Sequence, residues 1–230
     1  MQNKYIGDPG DFAKFLLLKG LSSGSKMLGI NWYLVPDDAG NDGNKKLKES
    51  FVDIDKDLFD KLSALSLTKR IQHVEAANLF SSKTKYYREI LYFKTRNEWF
   101  SNSLTTLKGS DIIFCDPDNG IEIPSCKPTN PKSVKYITLD EIKGYFDGGS
   151  SVVVYQHGSR RGTLTQQQSD RKMQLSEKLA ISTDNIHVLY SGYGTPRFFF
   201  VIIQPKHKSE LLSSIKSLPP FFTDMREYKH

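Results

Sequence analysis

Asp116-Pro117-Asp118-Asn119-Gly120 sets two carboxylates, an amide and a turn-forming glycine directly behind the apolar run Ile112-Ile113-Phe114-Cys115. With Glu122, three acidic groups fall within seven residues. The proline after Asp116 favours extended backbone at the acid, which aims its carboxylate off the strand end. Carboxylates placed there can accept hydrogen bonds from an amine, move a proton, or hold a hard cation such as Mg²⁺ or Mn²⁺. His157 lies just beyond a second apolar run, Val152-Val153-Val154-Tyr155, and suits a general base, a metal ligand or a structural imidazole. Arg160 and Arg161 follow in a glycine-bearing loop, a setting that suits phosphate contact. Lys127, Lys132 and Lys135 would complete a basic rim around the acidic centre, and Tyr193 and Arg197 a stacking surface.

These groups need elements to hold them. Apolar spacing predicts helices over 11–21, 58–65, 98–107, 139–146 and 171–180, and a further helix in the C-terminal stretch. Apolar and β-branched runs predict strands over 28–35, 111–115, 151–155, 186–190 and 197–204, with a short one over 70–74. The region 81–93 fits neither period. Strands alternating with helices imply an α/β fold, a Rossmann-like three-layer sandwich whose sheet is mostly parallel. The last two long strands are joined by a short turn, so the sheet should end in an antiparallel hairpin. Ligands of open α/β sheets bind beyond the carboxyl ends of the strands. Four short segments fall there: Pro36-Asp37-Asp38, the Asp116 loop, Gln156-His157 and Ser191-Gly192-Tyr193. Turn formation accounts for any one of them alone, but the Asp116 loop adds clustered acids beside the core.

The whole chain of 230 residues reads as one domain: an N-terminal motif and helix over 1–26, a core over 27–205, and a helix and tail over 206–230. An apolar content of 38% supports a core, and only Cys115 and Cys126 are present, which excludes a disulfide framework. No apolar run approaches a membrane span and no secretory leader opens the chain, so the cytoplasm is the expected compartment. The net charge of +6 favours a polyanionic partner, with nucleic acid first.

The order of elements resembles the class I methyltransferase fold. The segment Ile113-Phe114-Cys115-Asp116-Pro117-Asp118-Asn119 looks like the strand and DPPY motif of enzymes that methylate amino groups with S-adenosylmethionine (SAM). In that family the acid and the adjacent carbonyl accept from the target amine, and an aromatic fourth residue stacks on the base. Here Asp118 and Asn119 replace the proline and the aromatic residue. The segment Tyr5-Ile6-Gly7-Asp8-Pro9-Gly10-Asp11-Phe12-Ala13-Lys14 is similar to the opening motif of a large-subunit ribosomal RNA adenine methyltransferase family. The resemblance implies that Lys14 meets the SAM carboxylate. It also implies that the loop containing Asp38, Gly40 and Gly43 and an acid after the second strand, here Glu75, hold the rest of SAM.

Three functions follow as expectations. The first is a SAM-dependent methyltransferase, or a divergent relative, acting on a nucleic acid through Asp116 and Asn119. The second is a Mg²⁺- or Mn²⁺-dependent nuclease or phosphohydrolase that uses Asp116, Asp118, Glu122 and His157. The third is a nucleic-acid-binding protein with a methyltransferase-like fold and no catalysis.

Overall fold

The computed structural model describes residues 1–24, 26–38, 45–127, 129–159, 162–193 and 195–225. Nine strands occur among them: β1 (Leu28–Asn31), β2 (Lys85–Tyr87), β3 (Ile112–Cys115), β4 (Gly120–Ile121), β5 (Tyr136–Ile137), β6 (Ser151–His157), β7 (Ile186–Ser191), β8 (Arg197–Ile202) and β9 (Thr223–Asp224). Seven α-helices accompany them: α1 (Pro9–Leu21), α2 (Lys56–Thr68), α3 (Ile71–Ala76), α4 (Arg96–Leu107), α5 (Leu139–Asp147), α6 (Leu164–Leu179) and α7 (Lys208–Lys216).

The main sheet has seven strands in the order β2-β1-β3-β6-β8-β7-β9, and β4 and β5 form a separate two-stranded ribbon. Strands β2, β1, β3 and β6 are parallel. Strand β8 runs antiparallel between β6 and β7, and β9 runs antiparallel to β7. Successive strand residues face opposite layers. Thus Ile112, Phe114, Val153 and Tyr155 join α1, α2, α3 and α7, while Ile113, Cys115, Val152 and Val154 join α4, α5 and α6. The result is the expected Rossmann-like three-layer arrangement closed by antiparallel strands. Among the described residues no helix is long and apolar enough to cross a membrane.

Several local expectations are corrected. Residues 70–74 are not a strand: Ile71 and Val74, three apart, are the buried positions of the helix α3. The second strand of the sheet is β2, from the stretch that fits neither period. Strand β1 stops at Asn31 rather than 35, because Tyr33 takes a φ of 45° that leaves extended geometry. Helix α6 starts at Leu164, where the Thr163 hydroxyl caps the backbone N–H of Gln166 at 3.1 Å. After Leu164 its first two turns are polar, so apolar spacing marks only the later ones. His157 is the last residue of β6, not part of a loop beyond it.

Candidate functional site

Helix α1 places the N-terminal motif. Asp8 caps it, accepting from the N–H groups of Gly10 at 2.6 Å and Asp11 at 3.0 Å. Asp11 and Lys14 lie three residues apart and so share a helix face. Lys14 Nζ bonds Asp11 Oδ1 at 3.2 Å and Asp116 Oδ2 at 2.9 Å, across 102 residues of sequence. All three side chains are buried. Burial pulls the Lys14 ammonium down, but Asp116 and Asp11 outweigh it and hold it above its ordinary range. Burial pushes the Asp11 carboxyl up to about 7 against the pull of Lys14. Burial likewise raises Asp116, with Lys14 and the chain's α-ammonium opposing it.

Asp116 follows β3, and its N–H donates to the carbonyl of Asn31 on β1 at 3.1 Å. The Met1 ammonium donates to the Asp116 carbonyl at 3.0 Å and pairs with Asp118 Oδ1 at 3.0 Å. The rest of the loop is pinned by Gln156 on β6. Its amide accepts from Ile121 N at 2.9 Å and donates to the Asn119 carbonyl at 3.1 Å. Between them Gly120 has a φ of +108°, and a Cβ there would stand 2.4 Å from the Gln156 amide carbon. The glycine is therefore demanded by both backbone angle and space.

Strand β8 supplies the opposite wall. Because it is antiparallel, its first residue, Arg197, comes to the edge where β6 ends, in register with His157. Arg197 Nε donates to the Tyr155 hydroxyl at 3.1 Å, and that hydroxyl lies 3.1 Å from His157 Nε2. The Lys14 ammonium stands 4.6 Å from the centroid of the Tyr155 ring, a cation–π contact. Burial raises the Tyr155 phenol to about 12, with Lys14 and Arg197 opposing. Burial, then Arg197 and Lys14, push His157 down to about 4, so its ring is neutral near pH 7.

These groups enclose a cavity of about 360 Å³ between α1 and the carboxyl edge of β3 and β6. That is within the roughly 300–1,000 Å³ of small-molecule sites. The structure brings Lys14, Asp116, Asp118, Asn119 and His157 together on its walls, with Lys135 at the rim. It leaves other candidates outside. Glu75 accepts from Trp32 Nε1 at 3.0 Å and pairs with Arg88, so it sits on the α3 side rather than in the cavity. Asp38 forms exposed ion pairs with Lys4 and Lys135. The Tyr193 ring stacks on Phe221 with centroids 4.3 Å apart and does not line the cavity. Gly40, Gly43, Arg160 and Arg161 lie outside the described residues.

Glu122 turns away, its Oε1 accepting from Leu139 N at the start of α5 at 2.8 Å. The four groups named for Mg²⁺ or Mn²⁺ therefore do not converge, and the described residues contain no cluster of three or more acidic, His or Cys ligands able to hold a metal ion. Tyr155 and Asp11 were missed as site residues. Both were accessible to period arguments: Tyr155 shares a strand face with His157, and Asp11 shares a helix face with Lys14. Arg197, expected as a stacking surface, is a buried cation instead. The chain matches no protein-family model, no curated protein and no solved structure.

Proposed function

We propose that the protein is a SAM-dependent methyltransferase, or a divergent relative, acting on an amine-bearing base of a nucleic acid held in the cavity. The observation that carries this reading is the placement of Asp116. It stands at the carboxyl end of β3, beside a strand order in which β8 is inserted antiparallel between β6 and β7. Asp116 Oδ2 is taken by Lys14, while Oδ1 has no hydrogen-bond partner among the described residues and Asp116 lines the cavity. An amine hydrogen of an acceptor can therefore meet Oδ1. Tyr5 and His157, which also line the cavity, offer a substitute for the aromatic surface missing at Asn119. Alignment of acceptor and donor is what such a reaction chiefly needs from a protein.

The residues assigned to SAM fit it poorly. Lys14 is already neutralised by two carboxylates, Glu75 is committed to Trp32 and Arg88, and Asp38 is paired at the rim. The support for methyl transfer therefore lies on the acceptor side, at Asp116. Prior occupancy of one Asp116 oxygen by Lys14 favours a second reading, nucleic-acid binding without turnover.

Calorimetry with SAM, followed by transfer of a labelled methyl group to single-stranded RNA or DNA, tests the proposal. Micromolar SAM binding with transfer that Asp116→Asn lowers by about 10²–10⁴-fold is the expected result. Absence of SAM binding at millimolar concentration overturns it. Oligonucleotide binding without transfer selects the second reading.

A further inference from the structure

We propose that Arg197 and His157 form an oxyanion-binding subsite in the wall of the cavity, taking a phosphate or carboxylate group of the ligand. The inference rests on the cavity being a binding site and not on methyl transfer.

The Arg197 guanidinium is 3% exposed and, among the described residues, has no carboxylate partner. Its donors go to neutral acceptors: Nε to the Tyr155 hydroxyl at 3.1 Å, and Nη1 to the carbonyls of Tyr193 at 3.1 Å and Thr195 at 2.8 Å. Nη2 bonds nothing among the described residues. Arg197 lines the cavity, with Nη2 beside Gly10 of α1. Asp8, whose Oδ1 caps α1, stands beside the guanidinium across Gly10 but forms no ion pair with it, and Asp116 and Asp11 share Lys14. A guanidinium cannot shed its proton to escape burial, and an uncompensated buried charge is costly. No carboxylate of the described residues pairs with it directly, which leaves that place to an anion from outside the chain. Lys14, the cation that the sequence resemblance assigns to a carboxylate, already has two.

His157 supplies a second donor. The Tyr155 oxygen accepts from Arg197 Nε, which leaves the phenol proton for His157 Nε2. The reverse arrangement would strand that proton without an acceptor. His157 Nε2 is then the acceptor, and the ring proton sits on Nδ1. Nδ1 has no partner among the described residues, and His157 lines the cavity. A neutral ring held in this tautomer is a hydrogen-bond donor, not a base. Ligand oxygens at this wall therefore meet two donors, a charged N–H and a neutral one, with Asp8 beside them. Asp116 and Asp118 face the same cavity as acceptors, so the site suits a ligand carrying both an amine and an anion.

Two pairs of probes separate the sources of the anion: adenosine monophosphate against adenosine, and methionine against methionine amide. The wild-type protein should bind one anionic member at least tenfold more tightly than its neutral counterpart. Arg197→Gln should bring that ratio close to one. Preference for the monophosphate identifies a nucleotide phosphate, and preference for methionine identifies an amino-acid carboxylate. Should Arg197→Gln fail to fold, nitrogen NMR of His157 in the wild type decides. Inorganic phosphate should raise its titration midpoint, and the phosphate-free ring should show the Nδ1–H tautomer. Equal affinities within both pairs, with an unmoved His157 midpoint, overturn the subsite whether or not SAM binds.

Discussion

Lys14 is the side chain on which the most charge converges. It bridges two buried carboxylates and sits over the Tyr155 ring, so its position fixes three walls of the cavity at once. Removing its charge would leave buried carboxylates uncompensated, a loss that commonly costs about 3–5 kcal/mol. Around it, two groups titrate in opposite senses. Asp11, raised to about 7, favours the folded state when protonated, so its contribution declines as pH rises from about 3.8 and is gone above about 7. His157, lowered to about 4, favours the folded state when neutral, so its contribution is full above about 6.5 and is lost as pH falls toward 4. The charged neighbours that set His157 are Arg197, Lys14, Asp8 and Asp118. The two slopes oppose each other between about pH 4 and 6.5. His157→Gln should remove only one of them. The stability advantage of the wild type over His157→Gln should therefore grow with pH by up to about 1.4 kcal/mol per unit across that window. Urea unfolding at several pH values measures it, and a constant difference would mean that His157 titrates normally.

At the scale of elements, the Asp116 loop is held by a strand on each side and by the ribbon of β4 and β5. The ribbon registers Gly120 with Tyr136, and the Asn119 N–H donates to the Lys135 carbonyl at 2.8 Å. Gln156 clamps the loop from β6. Gly120→Ala should destabilise the protein by about 1–3 kcal/mol, because alanine is strained at this φ and its Cβ collides with Gln156. The same substitution should loosen Asn119, so ligand affinity should fall along with thermal stability. Calorimetric melting and ligand titration of the variant check both. An unchanged melting temperature would show that the loop is not held as described. Much of this element was legible: the apolar run, the Asp-Pro step and the glycine all mark a strand that ends in a turn. The ribbon was not, since its strands are two residues each and too short to show a period.

For the whole molecule, the sheet order decides which ends meet. A net charge of +6 and a pI near 9.1 bias it toward polyanions. Lys45 and Lys135 reach the cavity, while Lys45, Lys46 and Lys69 line a second hollow of about 490 Å³ beside α2. Binding of a single-stranded oligonucleotide should therefore weaken steeply with salt, log affinity falling by about 0.7 per log unit of salt for each phosphate neutralised. Fluorescence anisotropy across a salt series measures this slope. A flat response would remove nucleic acid as the partner.

The local sequence settled the α/β class, the antiparallel close of the sheet and the position of Asp116 at a strand's carboxyl end. Helical and strand periods are properties of short stretches, and they show wherever one face of an element is buried. Partner choice is not local. Lys14 meets Asp116 because α1 starts at the carboxyl edge of the sheet, and Arg197 meets Tyr155 because β8 runs backwards beside β6. Glu75 went to Trp32 because the stretch around it coils into α3. Only the packed sheet, by deciding which strands are neighbours, could turn an acidic turn into one wall of a cavity that faces a buried arginine.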